Sequence, residues 1–197
     1  MSQNSKDPIS AHLKLSREAL ERATQDAGLL DTARKIADVM AAGLRGGHKL
    51  LIAGNGGSAA DAQHIAAEIV GRYKKDRPAY AAIALTTDTS ALTAIGNDFG
   101  FEQVFARQVE GLGRRGDVLL AISTSGRSAN ILAALKAARQ HGLVTVGFTG
   151  GKGTGMAASC DHLLVAPSDD TAVIQQIHLT IAHGICDVIE QTLMQGA

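Results

Sequence analysis

The sequence predicts an α/β protein: a five-stranded parallel sheet with helices on both faces over residues 47–197, preceded by a pair of N-terminal helices over residues 1–46. Three observations predict it. Short apolar runs alternate with segments of 3.6-residue periodicity, the grammar of strand followed by helix. The apolar runs are continuous rather than alternating, as strands covered on both faces require. Finally, 197 residues with 45% apolar side chains and 22 glycines make about one domain with room for close helix-on-sheet packing.

The elements follow in order. From Pro8 to about Arg45 the apolar positions recur at helical spacing, with Ile9, Leu13 and Leu20 in one stripe and Leu30, Ala33, Ile36, Ala37, Met40 and Leu44 in another. These read as two helices broken near Gly28. KLLIAG (49–54) is a strand that runs into NGGS, after which SAADAQHIAAEIVGRY resumes the helical period. AYAAIAL (79–85) is a second strand, with a helix from about Thr89; DVLLAIS (117–123) is a third, followed by the turn TSGRS and the helix ANILAALKAARQHG. LVTVGFTG (143–150) leads into a glycine-rich loop, HLLVA (162–166) is the fifth strand, and TAVIQQIHLTIAHGICDVIEQTLM is a long closing helix. Crossovers in such a sheet are right-handed. LLIAGNGGSAADA and LLAISTSGRSANI align as strand, small-residue turn and helix start, so two similar turns sit at the carboxyl ends of two strands.

Composition excludes several classes. Nineteen basic and nineteen acidic residues cancel, which leaves no global field for nucleic acid or an anionic membrane surface. Aromatics at 3% with no Trp leave no stacking platform for single strands. Two cysteines, Cys160 and Cys186, form neither a disulfide framework nor a CxxC pair and suit a reducing compartment. The stretch MSQNSKDPIS has no apolar leader, and no run of ~18 apolar residues of the kind that spans a membrane stands out. The expectation is a soluble, unprocessed, cytoplasmic protein whose anionic ligand is held locally.

In open α/β sheets ligands bind beyond the carboxyl ends of the strands, where helix N-termini present unpaired N–H groups. Both turns fall there. Ser123, Thr124, Ser125 and Ser128 offer four hydroxyls within six residues, without the lysine or spacing of a Walker loop, so the turn suits a monoester phosphate. One such hydroxyl would be explained by helix capping alone; four exceed it. The first turn, from Gly54 to Ala59, matches a relaxed dinucleotide fingerprint, but GRYKKDRP stands about where the ribose-binding carboxylate is expected. Asn55, Ser58 and the glycine N–H groups read instead as sugar contacts.

His64 and Glu68 are four apart on the helix leaving the first turn and share a face. In the closing helix Gln175, His178 and His183 interrupt an otherwise apolar segment, and buried polar side chains need partners or a reason. Gln175 and His183 address one cavity, while His178 points elsewhere. Two histidines, a glutamate and an oxygen donor suit Zn²⁺ or a similar ion, and the same Glu and His equally suit a general base and acid. His12, His48, His141 and His162 have no such context. Lys74-Lys75-Asp76-Arg77 reads as a solvated helix end or a subunit contact.

The blocks AGNGGSAADAQHIAAE, DRPAYAAIALTTDTSALTAIGNDFGF, GDVLLAISTSGRSANI and IQQIHLTIAH resemble, in order and separation, the phosphoheptose isomerases of the sugar-isomerase (SIS) fold. The resemblance spans roughly residues 47–190. It implies isomerisation of sedoheptulose 7-phosphate to the aldose heptose 7-phosphate for bacterial lipopolysaccharide or capsule. It further implies substrate contacts at Asn55, Gly56, Gly57, Asn97, Asp98, Ser123, Thr124, Ser125, Ser128 and Gln175, and a catalytic pair at Glu68 and His183. Zinc ligands would be His64, Glu68, Gln175 and His183. The family's tetrameric assembly, with sites at subunit interfaces, would give the exposed stripe with Leu13 and Leu20 a contact. Gln176 stands where the family often has Glu, and Val173 where Arg is frequent, so a carboxylate and a cation are absent together. Two rivals share the fold: a non-catalytic module contacting the bacterial replication initiator, which lacks the Glu and His pair present here, and an isomerase or lyase for amino-sugar phosphates.

Overall fold

The structure is a computed structural model that describes residues 7–195. Residues 1–6, part of the stretch read for its lack of a leader, and 196–197 lie outside the described residues. Two helices open the chain, α1 (Pro8–Gln25) and α2 (Ala27–Arg45). The break expected near Gly28 falls at Asp26. Asp26 closes α1, and its carboxylate accepts the Leu29 N–H to start α2, so Gly28 lies inside the first turn of the second helix.

The strands are β1 (Leu50–Gly54), β2 (Ala82–Ala84), β3 (Val118–Ile122), β4 (Val144–Gly150) and β5 (His162–Ala166), all parallel in the order β2-β1-β3-β4-β5. The expected second strand at 79–85 shortens to three residues because it is an edge strand with β1 as its single ladder partner. Connecting the strands are α3 (Gly57–Val70), α4 (Thr89–Phe99), α5 (Ala106–Leu112) and α6 (Ala129–Gln140), and α7 (Thr171–Met194) follows the last strand. The sequence reading did not separate α5, a seven-residue helix, from its surroundings; it is too short to display a full amphipathic period.

Continuous apolar strands produce two cores. Leu50, Ile52, Val118, Leu120, Val146 and Phe148 face one side, against α2, α3 and α7. Leu51, Ala53, Leu119 and Ala121 face the other, against α5 and α6. Neighbouring residues of one strand thus enter opposite cores, as strand geometry dictates. The two strand–turn–helix repeats share local grammar, yet α3 and α6 cover opposite faces.

α7 is long and apolar enough to cross a membrane by length and hydropathy, which corrects the expectation that no segment is. Its place in the fold supplies another reason for that composition. Val173, Ile174, Ile177, Ala182, Ile185 and Ile189 are buried, and the helix packs along α2 and α3.

Candidate functional site

Strand order reverses between β1 and β3, the switch point at which doubly wound sheets bind ligands. Both small-residue turns emerge there, because β1 ends at Gly54 and β3 at Ile122 in matching register. Glycine is required at two positions. Gly126 has φ +62°, and a Cβ there would strike the Gly153 backbone; a Cβ on Gly54 would strike the Ser58 carbonyl.

The serine turn is not used up in capping. Ser128 stands at the N-cap of α6 but makes no side-chain cap bond; its Oγ lies 3.0 Å from Ser123 Oγ. Ser125 Oγ accepts the Arg127 N–H at 3.3 Å. The two turns are tied together by Asn55 and Asn130, whose amides exchange hydrogen bonds of 2.9 and 2.8 Å. Asn130 is 3% exposed; no sequence signal marks it, because its partner lies 75 residues away in the other turn.

Two turns along α3 from Gly57, the expected cluster forms. His64 Nε2 lies 3.1 Å from Glu68 Oε1 and 3.0 Å from His183 Nε2 of α7, with the imidazoles edge to face. One donor atom from each of the three residues lies within 4.8 Å of the others. Two imidazole nitrogens and a carboxylate oxygen at these separations fit one divalent ion of the zinc type, whose ligands each stand about 2.0–2.2 Å from the metal.

Gln175 of α7 takes its place beside the first turn: a Cβ on Gly57 would lie 2.6 Å from its Nε2, so a larger residue there would displace the amide. Asn97 and Asp98 are not brought to this group. They sit exposed on α4, where the Asn97 amide donates to Asp98 Oδ1 at 2.8 Å.

Two further side chains border the cluster. Asp61, one turn before His64, has an Oδ2 that is buried without a hydrogen-bond partner; burial raises its pKa, opposed by His64. Its i, i+3 spacing to His64 was the available signal. Tyr73 stacks on His183, with ring centroids 5.6 Å apart and planes 20° from parallel. No sequence signal marks it, since it lies in an irregular segment and meets α7 only in the fold.

That segment corrects the reading of residues 74–77 as a solvated helix end in part: Lys74, Lys75 and Asp76 are exposed, but α3 stops at Val70 and Arg77 is not solvated. Lys74 Nζ reaches Asp187 at 2.7 Å, and the Arg77 side chain, 2% exposed, is buried against Glu190. His178 is placed as expected, away from the cluster. It is buried against Phe148 and its Nε2–H donates to the Thr149 carbonyl at 3.0 Å, while burial lowers its pKa to about 4. Desolvation raises both thiols to about 12, so neither is a nucleophile. Gln176 meets His12 across α1, Nε2 to Nε2, at 3.1 Å, and Val173 is wholly buried against α1.

The SIS domain model matches residues 13–150. Among relatives, a phosphoheptose isomerase from Bradyrhizobium sp. (strain ORS 278) is 72% identical over 189 residues, which is 96% of each chain. The structure of phosphoheptose isomerase from Neisseria gonorrhoeae has a TM-score of 0.87 at 46% identity, covering 93% of this chain and 97% of that one. That of a phosphoheptose isomerase from Francisella tularensis has a TM-score of 0.90 at 38% identity, covering 97% and 100%. A hydroxyl-lined turn and a glycine turn at one switch point, with a His–Glu–His cluster along the helix that leaves the second of them, are thus found in a chain similar along nearly its whole length to these enzymes, and it belongs to the phosphoheptose isomerase family of SIS-domain proteins.

Proposed function

We propose that the enzyme isomerises sedoheptulose 7-phosphate to D-glycero-D-manno-heptose 7-phosphate in the cytoplasm, the first step toward heptose for lipopolysaccharide or capsule. The observation that carries this reading is the meeting of His64, Glu68 and His183 within 4.8 Å beside two ligand-facing turns. A carboxylate and an imidazole on one small volume are what a carbonyl shift between adjacent carbons needs.

In this mechanism Ser123, Thr124, Ser125 and Ser128 hold the phosphate, while Asn55, Gly56, Gly57 and Gln175 hold sugar hydroxyls. Remote binding energy aligns the reacting carbons. Glu68 takes a proton from C1 of the ketose as His183 gives one to the C2 oxygen, forming an enediol. His183 then takes the proton of the C1 oxygen and Glu68 returns its proton to C2, so both residues end as they began. Zinc, if held by His64, Glu68, Gln175 and His183, would supply a Lewis acid for the substrate oxygens, and the Glu68 and His183 atoms that ligate it would then be ligands rather than proton carriers.

Residues 1–46 serve packing and assembly in this reading, and four copies make the functional unit. Asn97 and Asp98 then complete a site on a neighbouring copy. The deciding experiment follows sedoheptulose 7-phosphate by NMR in D₂O, with and without added zinc. Conversion to the aldose is expected, with deuterium at C2 in the fraction of turnovers in which the Glu68 proton exchanges with solvent before its return; an unchanged ketose under both conditions refutes the reading.

A further inference from the structure

We infer that Tyr73 is a positioning residue for the reaction: its backbone, anchored through its N–H by the buried Arg77–Glu190 pair, places a ring that sets the plane of the His183 imidazole so that Nε2 faces His64 and Glu68. The inference rests on the isomerase reading of that cluster. Tyr73 belongs to the irregular segment between α3, which ends at Val70, and β2, which starts at Ala82. No helix or strand ladder fixes this segment, and its main anchor comes from another element.

It comes from Glu190, seven residues after His183 on α7 and therefore on nearly the same face. The Glu190 carboxylate is 1% exposed. It accepts the backbone N–H groups of Tyr73, Lys74 and Lys75 at 3.1, 3.0 and 2.8 Å, and the Arg77 Nε–H at 3.2 Å. Four donors converge on one buried carboxylate and hold it below its ordinary pKa against the opposing effect of burial. Arg77 extends the clamp to the other side of the site. Its guanidinium donates to the carbonyls of Glu68 at 2.7 Å and Ile69 at 2.9 Å, which ties the backbone of the carboxylate residue to the same anchor. Lys74, paired with Asp187, places its ammonium 4.8 Å from the Tyr73 ring centroid.

The consequence is orientational. A histidine χ2 torsion has a broad, roughly two-fold profile, so a half-buried imidazole needs a neighbour to define its plane. The ring stacked at 5.6 Å and 20° is that neighbour. Aliphatic side chains of similar volume retain the burial but offer no flat face, whereas phenylalanine retains both.

The test compares Tyr73→Phe, Tyr73→Leu and Tyr73→Met with wild type in the full chain; two aliphatic variants guard against a folding defect in one. Three quantities are read: kcat and KM with sedoheptulose 7-phosphate, the Kd for zinc ion alone by competition with a chromogenic chelator, and the ring-current shift of the His183 carbon-bound protons. The aliphatic variants are expected to lower kcat and zinc affinity by ~10–100-fold, as loss of an orienting neighbour does, with KM unchanged within ~3-fold. Their ring-current shift disappears, and Tyr73→Phe keeps all three near wild type. Aliphatic variants that match wild type in kcat and zinc affinity overturn the inference; so does a phenylalanine variant as impaired as they are. Should wild type itself leave the ketose unchanged, the functional reading fails, and zinc affinity and the ring-current shift alone decide the role of Tyr73.

Discussion

Glu68 and His183 move the protons in the proposed reaction, so Glu68→Gln and His183→Gln should each lower kcat by at least ~10²-fold, the lower end for a general acid or base. Near-normal rates in both would remove the acid–base assignment. His178, on the same helix, makes a different prediction. Its pKa falls from 6.5 to about 4 in the fold, so between those values the unfolded chain binds more protons and stability drops as the pH is lowered. The full effect is roughly 3 kcal/mol, reached as the pH passes below the folded value. Urea unfolding between pH 7 and 4 should show wild type losing its advantage over His178→Gln; parallel curves would contradict it. At this scale the sequence already paired His64 with Glu68, because four residues on a helix bring side chains together whatever the fold. Asn130 and Tyr73 were invisible because their partners, Asn55 and His183, are 75 and about a hundred residues away.

Among the helices, four begin at an aspartate whose carboxylate accepts a backbone N–H: Asp7, Asp26, Asp88 and Asp170. Asp26 does more than the rest, since it also ends α1. Asp26→Ala should cost about 1 kcal/mol by loss of the cap, read as a lower urea midpoint, and a variant with an unchanged midpoint would show that the helix start is held by packing alone. Strand positions were readable because both faces of the sheet are covered, which makes each strand a bare apolar run. The length of β2 was not, since where an edge strand stops depends on the ladder its neighbour offers. The bounds of α7, Thr171–Met194, match the sequence reading because its apolar residues recur over some two dozen positions with no glycine–proline break.

At the scale of the molecule, the single chain leaves apolar surface without a partner. α4 has no buried residue, Phe99 and Phe101 are 50% and 65% exposed, and a largely apolar cavity of about 290 Å³ lies between α1, α2 and α7. Ile9 and Leu13 on α1 are 72% and 64% exposed. In the proposed tetramer these surfaces meet other copies. Leu13→Asp should therefore leave monomer stability within about 0.5 kcal/mol, as for other surface changes, while shifting sedimentation toward smaller species; a monomeric wild type would contradict the assembly. The sequence by itself determined the α/β class, the helix faces and the two ligand-facing turns, because each follows from residue periodicity and local backbone chemistry within a dozen positions. Tertiary structure alone decided that α7 lies along α3, so that His183 meets His64, Glu190 gathers the segment after α3, and two turns on separate strands share one amide pair. Those outcomes depend on strand order and on which face each crossover covers, and neither is encoded in any local window of the chain.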